Sequence, residues 1–350
     1  MPDYEIFSGN TMVAVWENEH LDIKNEKLLP LFLKRVNDAD KWLETRAVDS
    51  HRANSRLLKK ALRLTEKDDV STVIFANGAT ITDNYWIRPI GSTMQYSDVT
   101  FKYDFFSKRI AKLAIDGDFS AFNYVAKNSR STTYELTNVG SFEKCWKMIN
   151  SKWWLFKKAT QREQFSEIFI SKLGHAIGIN TAIYEKYNHC VKSLDFTDGA
   201  KVNFEPALSF MGDNEDYDDV IAMLKKLCPK AIPDYIRLIF LDTITANPDR
   251  HTGNFGLLRD IDSGEILGLA PCFDHNMALI SRGYPSNPKG SDLLITLFCD
   301  VINKNPQYKK YIPDIKEETV RDLIKEIGMK VKTQAVVDLI INRYEMIKNN

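Results

Sequence analysis

The chain has 350 residues, of which 44% are hydrophobic and 27% charged, so it can bury a full core without disulfides or metals, and its length suggests about two domains. Its 47 basic residues balance 47 acidic ones, which argues against a general electrostatic attraction to nucleic acid or to an anionic membrane. The five cysteines include no CxxC pair, no apolar run approaches the roughly 18 residues that span a bilayer, and the N-terminus lacks the features of a signal peptide. These features predict a reduced, cytoplasmic protein with no membrane span, no zinc site and no direct contact with nucleic acid.

Residues 1–130 have the mixed pattern of an α/β region. The segment "NTMVAVWEN" is typical of a short strand, and "EKLLPLFLKRV" and "HRANSRLLKKALRL" have the apolar spacing of amphipathic helices. The polar segment "AKNSRSTTYEL" then carries turn-forming residues, so we place a domain boundary near residue 130.

Residues 131–205 predict a small sheet with one helix against it. "YELTNVGSFEKCWKMI" and "KWWLFKKAT" indicate two strands joined by a turn at "INS", and "TAIYEKY" and "HCVKSLDFT" indicate two more. Between the pairs, "TQREQFSEIFISKLGHAIGI" has one apolar helical face, with Thr160 as its N-cap and Gly178 after its end.

Residues 206–350 are mostly helical in pattern. The helix candidates are "YDDVIAMLKKLC", "PDYIRLIFLDTITA" with Pro233 in its first turn, "SDLLITLFCDVI", "EETVRDLIKEIG" and "QAVVDLIINRYEMI". The segments "NFGLLRD" and "EILGLAPCFD" predict a β-hairpin with Gly264 in its turn.

The segment "NPDRHTGNFGLL", residues 247–258, places many polar groups directly after an apolar helix pattern. Asn, Pro and Asp are common turn formers, so this segment could cap its own backbone. Alternatively, it is a reaction centre: Asp249 could orient a hydroxyl proton, as phosphoryl transfer from ATP requires. Asn254 and Asp274 stand twenty residues apart at the two ends of the predicted hairpin, so both could bind one metal ion.

At these residues the sequence resembles a known family. "DRHTGN", followed about twenty residues later by "FD", resembles the HipA-like serine/threonine kinases and, more distantly, the phosphatidylinositol 3-kinase-type enzymes. The segment "WWLFKKATQREQFSEIFISKLGHAIGI" is similar to the lysine strand and glutamate-bearing helix of that family, and residues 1–130 have the length of its accessory domain.

The resemblance implies a role for each matching residue. Asp249 would be the catalytic base, Asn254 and Asp274 would be ligands of Mg²⁺, and Arg250 would brace the loop. His251 would either brace the loop as well or touch the γ-phosphate.

On the nucleotide side, the resemblance assigns Lys157 to the ATP phosphates and Glu167 to the carboxylate that pairs with it, although the adjacent Lys158 is an alternative to Lys157. The adenine hinge would be residues 191–196, including Leu194, Asp195 and Phe196. Gly140 and Ser141 occupy the segment of the phosphate-covering loop, and Ser141 stands roughly where some relatives carry an autophosphorylated serine. This loop departs from a usual phosphate cradle because it holds a single glycine.

The resemblance implies an α+β, bilobal protein-kinase-like fold, divided into an accessory region 1–130, an N-lobe 131–205 and a helical C-lobe 206–350. It implies a kinase dependent on ATP and Mg²⁺, acting on a Ser or Thr of a protein substrate and capable of autophosphorylation, with an antitoxin-like protein as a candidate partner. Two alternatives stay open: a small-molecule or lipid kinase of the same fold, and a weakly active nucleotide-binding module of a toxin–antitoxin or phage system.

Overall fold

A computed structural model of the protein describes residues 3–64, 68–101, 108–118 and 133–350, with the backbone alone for residues 108 and 109. The predicted domain boundary near residue 130 lies outside these residues, and the predicted three-part division stays a prediction. The chain forms two compact units. The first is Met1–Lys158, Leu194–Glu205 and Leu258–Leu267, and the second is Ala159–Ser193, Pro206–Leu257 and Gly268–Asn350.

The N-terminal part of the first unit is built on a four-stranded sheet in the order β3-β2-β1-β4, with antiparallel neighbours. The strands are β1 (Tyr4–Ser8), β2 (Thr11–Glu17), β3 (His20–Ile23) and β4 (Tyr85–Pro89). Of these four strands, β2 alone was predicted from the sequence. The others have four or five residues each, and a pattern of period two is weak over so short a segment.

The described residues of the first unit also contain six helices. They are α1 (Leu31–Val36), α2 (Ala39–Glu44), α3 (Ser55–Ala61), α4 (Asp69–Phe75), α5 (Tyr96–Val99) and α6 (Lys108–Asp116). The predicted helices over residues 26–36 and 51–64 are confirmed as α1 and α3, although both are shorter than predicted. Residues of α1, α2 and α4 pack with the sheet, whereas α3 and α6 share a cluster around Leu58 and Leu113.

A hairpin closes the continuous part of the first unit. Its strands are β5 (Lys144–Ile149) and β6 (Lys152–Lys158), and positive φ angles at Asn150 and Ser151 make a tight turn that matches the strand twist. The strand predicted from Tyr134 is wrong in its first half. Tyr134–Thr137 form a 3-10 helix instead, because the Thr133 hydroxyl accepts a hydrogen bond from the Glu135 N–H and Glu135 turns into the core.

The second unit begins with the helix α7 (Gln161–Ala176), and the predicted N-cap is confirmed. The Thr160 hydroxyl accepts from the Glu163 N–H, and the Glu163 carboxylate accepts from the Thr160 N–H, so the two residues form a capping box. Strands β7 (Tyr184–Tyr187) and β8 (Cys190–Leu194) follow as an antiparallel hairpin, as predicted.

The rest of the second unit is helical and centres on α10. The helices are α8 (Leu208–Met211), α9 (Tyr217–Leu227), α10 (Ile232–Ile244), α11 (Leu293–Lys304), α12 (Glu317–Ile327) and α13 (Thr333–Lys348). Short 3-10 helices span Pro229–Ala231 and Pro306–Tyr311. Helix α10 contacts α9, α11 and α13, and ten of its thirteen residues are buried. A helix that is buried on all sides gives a rigid support to the loop after it.

The predicted hairpin after that loop is confirmed as β10 (Gly256–Asp260) and β11 (Ile266–Leu269), which join β9 (Val202–Pro206) in the order β11-β10-β9. Strand β9 was not predicted from the sequence. At the base of the hairpin, the Ala270 N–H donates to the Gly256 carbonyl at 2.9 Å. Within the part of the chain that the structure describes, no helix combines the length and apolar character needed to cross a membrane.

The turn of this hairpin makes a testable contact in the first unit. Gly264 has a φ of +72°, and a Cβ atom added there would overlap the Lys27 carbonyl. Gly9 has a φ of +55° but open space around it. We expect Gly9→Ala to cost about 1–2 kcal/mol from backbone strain alone. Gly264→Ala should cost at least about 1–3 kcal/mol more because of the overlap. Urea unfolding of both variants measures the difference, and equal losses would contradict it.

Candidate active site

The loop after α10 is fixed by hydrogen bonds to the end of that helix. Asp242, 1% exposed, accepts from the Asn247 side-chain amide at 2.7 Å, and the Asn247 side-chain oxygen accepts from the Asp249 N–H at 3.2 Å. These hydrogen bonds fix the backbone at Asp249, whose side chain is half-buried.

Arg250 holds this loop and the segment before Asp274 together. Its Nε and Nη2 donate to the Asp242 carboxylate at 2.8 and 2.9 Å, and its Nη1 donates to the backbone oxygens of Asn254 and Phe273 at 2.5 and 2.6 Å. Burial lowers the pKa of Arg250, but the Asp242 carboxylate outweighs it and holds that pKa above its usual value. One guanidinium nitrogen therefore joins the carbonyl of Asn254 to the carbonyl of the residue before Asp274.

The two predicted metal ligands have constrained positions. The Asn254 side-chain amide nitrogen donates to the Asp249 carbonyl at 3.1 Å, which leaves its side-chain oxygen as the atom able to meet a cation. Asp274 has a φ of +59°, in the left-handed region that residues with a Cβ rarely adopt, and its N–H donates to the Tyr184 hydroxyl at 2.9 Å. Such backbone strain is common at ligand-binding and catalytic positions.

His275, next to Asp274, is fully buried and links Arg250 to helix α7. Its N–H donates to the Glu167 carboxylate at 2.8 Å, and its Nδ1 lies 3.2 Å from Arg250 Nη2, so Nδ1 accepts and the ring is neutral. Burial, and then the Arg250 charge, lowers the pKa of His275 from 6.5 to about 3. Its Nε2 has no hydrogen-bond partner among the described residues.

Glu167 and His251 have defined contacts. Glu167, 0% exposed, accepts from His275, and its predicted pairing with Lys157 stays a prediction. His251 is exposed, and its Nδ1 accepts from the Gly253 N–H at 3.1 Å. This contact fits the loop-bracing alternative for His251, whereas a phosphate contact stays a prediction.

The predicted nucleotide lysine lies in the first unit, on β6. Lys157 is 4% exposed and Lys158 is exposed, so burial favours Lys157 as the functional lysine. Lys144, 8% exposed, is its direct partner on β5, which puts both side chains on one face of the hairpin. Like charges placed directly opposite each other on neighbouring strands are unfavourable for the pairing of those strands.

The predicted phosphate-covering loop lies directly before β5. Gly140 has a φ of +111°, and a Cβ atom there would overlap the Lys144 ammonium. The backbone conformation therefore favours glycine at this position, and a larger residue would displace the end of the Lys144 side chain. Ser141 is exposed.

The backbone N–H at the centre of the predicted adenine hinge already has a hydrogen-bond partner. The Asp195 N–H donates to the Trp153 carbonyl at 3.0 Å, so that N–H is not available to a base. The Asp195 side chain accepts from the Thr197 and Gly199 N–H groups at 2.9 and 2.7 Å and closes the turn after β8. Leu194 is half-buried, and the Phe196 ring meets the Phe204 ring edge-on. A hinge role for Leu194, Asp195 and Phe196 stays a prediction.

The second unit therefore joins Asp249, Arg250 and Asn254 by hydrogen bonds, and Arg250 also bonds the carbonyl of Phe273, the residue before Asp274. Three supporting residues were not predicted from the sequence: Asp242, Tyr184 and Lys144. Asp242 had a signal: it is a carboxylate inside an apolar helix, and such a residue is almost never fully buried unless it is paired. Tyr184 and Lys144 had none, because Tyr184 meets the distant Asp274 N–H and the position of Lys144 opposite Lys157 depends on strand register.

The donor set fits magnesium. An Asp carboxylate and an Asn amide offer hard oxygen atoms, and Mg²⁺ is usually held by one or two carboxylates together with phosphates and water. The described residues contain no group of three or more His, Cys, Asp or Glu side chains that could hold a metal ion.

Comparison with solved structures gives a fold. HipA of Shewanella oneidensis MR-1, from a toxin–antitoxin complex of HipA, HipB and operator DNA, is 11% identical and superposes with a TM-score of 0.54 over 98% of this chain and 97% of that chain. The mixed α/β architecture with several antiparallel sheets is thus similar to HipA. A Helicobacter pylori proinflammatory kinase, CtkA, is 17% identical with a TM-score of 0.43 over 58% of this chain and 89% of that chain.

Comparison with family models gives the family. Residues 121–343, more than half of the chain, match the model of the HipA-like C-terminal domain. The chain belongs to this HipA-like family. A search of curated proteins gave no match.

The Arg250–Asp242 pair is testable through stability. Arg250→Met keeps much of the side-chain length but leaves Asp242 buried without its cation, which we expect to cost about 3–5 kcal/mol in the free energy of unfolding. Arg237→Met is the matched control, because Arg237 pairs with a half-exposed Asp234 at 2.9 Å and should lose less than about 1 kcal/mol. Urea unfolding measures both, and similar losses would contradict the buried pair's role.

His275 predicts a pH dependence. Its folded-state pKa of about 3 lies below 6.5, so between these values the unfolded chain binds a proton that the folded chain does not. Stability should therefore fall as the pH drops below about 6.5, by up to about 1.4 kcal/mol per pH unit from this residue. His275→Gln should remove that part of the slope, and His20→Gln, at an exposed position, should not. Urea unfolding at pH 7, 6 and 5 checks this, and parallel pH profiles for wild type and His275→Gln would rule it out.

Proposed function

We propose that this member of the HipA-like family is a protein serine/threonine kinase that uses ATP and Mg²⁺. The observation that carries the proposal is the Arg250 contact set, in which one buried guanidinium joins the backbones beside Asn254 and Asp274. The left-handed backbone of Asp274 supports it, because strain of this kind is retained where a side chain must be aimed.

Each residue has a role in the proposed reaction. Asp249 accepts or orients the proton of a Ser or Thr hydroxyl, from the end of a loop that α10 supports. Asn254 and Asp274 offer oxygen atoms to Mg²⁺, which when bound would offset the charge of the transferring phosphate. Arg250 keeps these groups in fixed relation, so little reorganisation accompanies the reaction.

Lys157 orients the phosphates of ATP, and Glu167 is its carboxylate partner. The burial of both side chains supports this assignment, since a buried charge is stable only with a partner or a bound ion. The bilobal kinase-like arrangement, the hinge at residues 191–196 and autophosphorylation, with Ser141 as the candidate acceptor, belong to the same proposal. A HipB-like antitoxin is the candidate protein partner, because the HipA neighbour was solved together with HipB.

Two isosteric variants test the chemistry. Asp249→Asn should lower ATP turnover by at least about a hundredfold and leave nucleotide affinity within a few-fold, since it removes the proton acceptor alone. Asp274→Asn should lower both turnover and Mg²⁺-dependent ATP affinity, because it removes a carboxylate ligand. Turnover is measured with labelled ATP and affinity by calorimetry with and without Mg²⁺.

The matched control is Asp262→Asn, at an exposed position in the turn of the same hairpin, which should behave as wild type. Wild-type turnover in Asp249→Asn or Asp274→Asn would refute the proposed kinase. The fate of the label distinguishes the acceptors: incorporation into the protein itself or an added protein supports a protein kinase, whereas label appearing only in a small molecule or lipid supports those alternatives.

A further inference from the structure

A buried arginine from the N-terminal part of the first unit contacts the predicted phosphate-covering loop. Arg52 lies between α2 and α3 and is 1% exposed. Its Nε donates to the Gly140 carbonyl at 3.1 Å, and its Nη2 donates to the Asn138 carbonyl. One guanidinium therefore fixes two peptide groups of a loop that lies more than eighty residues away in the sequence.

A second brace holds the same loop from its flanks. Glu135 is fully buried, and its carboxylate accepts from the Asn138 side-chain amide at 2.9 Å and from the Trp146 N–H at 2.8 Å. Burial raises the pKa of Glu135 to about 7, with these hydrogen bonds and then Arg52 opposing the rise. The loop is thus fixed at its start by Glu135 and along its length by Arg52.

This arrangement costs stability. Arg52 Nη1 is buried and has no hydrogen-bond partner among the described residues. Burial also lowers the pKa of Arg52, against the opposing charge of Glu135. A buried cation with an unused donor is expensive to keep, and such groups usually have a purpose other than stability.

The geometry of the peptide bond suggests that purpose. In a trans peptide the C=O and the following N–H point in opposite directions. Because the carbonyls of Asn138 and Gly140 point toward Arg52, the N–H groups of Val139 and Ser141 point away from it. Successive N–H groups aimed to one side of a loop are the usual protein contact for phosphate oxygens.

We propose that Arg52 is a positioning residue for ATP binding: it holds the carbonyls of the 138–141 loop so that the Val139 and Ser141 N–H groups face the nucleotide phosphates. This inference rests on the proposed function and adds to it a residue from the predicted accessory region, 1–130. That region thereby acts on nucleotide affinity through a defined hydrogen-bonded contact.

The test compares two buried arginines of the first unit. Arg52→Lys keeps the charge but cannot reach both carbonyls, so we expect the KM for ATP to rise about tenfold while kcat changes less than about threefold. Arg46→Lys is the matched control: Arg46 is 8% exposed and likewise contacts a backbone carbonyl, that of Gly78 at 2.9 and 3.0 Å, together with Asp83. It should lower the melting temperature and leave the KM unchanged.

Gly140→Ala perturbs the same loop from its other side, because it combines a φ of +111° with an overlap on Lys144. It should raise the KM for ATP as well. The double variant Arg52→Lys/Gly140→Ala should raise the KM by clearly less than the product of the single effects, since both act through one loop. If the KM of the double variant rose by the full product of the single effects, the two residues would not act through the same loop.

Hydrogen exchange of the nucleotide-free protein tests the same contact without activity. Amides of residues 138–144 should exchange faster in Arg52→Lys and at the wild-type rate in Arg46→Lys. If the wild-type protein neither binds nor turns over ATP, the proposed function fails. Slow amide exchange in the loop that depends on Arg52 would still show that Arg52 fixes residues 138–144.

Unchanged exchange together with an unchanged KM would overturn the inference. Arg52→Gln is the second variant, and loss of folding in both variants would make Arg52 a structural residue and overturn the inference as well.

Discussion

The second unit depends on one buried ion pair, between Arg250 and Asp242. A charge pair removed from water is stable only if nearly every donor and acceptor is used, and Arg250 uses its donors on Asp242, on two backbone oxygens and on His275. The same contacts that stabilise the guanidinium therefore fix the loop of Asp249 and the turn of Asp274. Stability and the position of the proposed catalytic groups share one cause.

The first unit uses a buried arginine in the same way. Arg259 donates to the Glu205 carboxylate, to the Tyr85 hydroxyl and to the carbonyls of Leu29 and Lys27. Tyr85 lies in β4 and Glu205 in β9, whereas Lys27 and Leu29 lie before α1, so a single planar cation on β10 joins three separate segments of the first unit. Guanidinium groups suit this task because they present five donors in a fixed plane, whereas an ammonium offers a point charge.

Family membership concerns the fold of the chain, whereas the candidate site concerns its side-chain contacts. At 11% identity, the likeness to the Shewanella oneidensis protein concerns the path of the backbone. The site rests on side-chain contacts within this chain: a left-handed Asp274, an amide of Asn254 directed by the Asp249 carbonyl, and a neutral, buried His275. These contacts connect the family resemblance to a physical argument about phosphate and metal.

The sequence by itself determined the elements with strong local signals: the N-cap at Thr160, the turn of Gly264, the long amphipathic helices, and the hairpin that separates Asn254 from Asp274. Periodicity and turn chemistry act over a few residues, so they can be recognised in a single chain. Tertiary structure alone decided the short strands β1, β3, β4 and β9, the left-handed backbone of Asp274, and the partners of Arg250 and Arg52. Those features depend on groups that are distant in sequence and meet only when burial forces each charge and each carbonyl to find a partner.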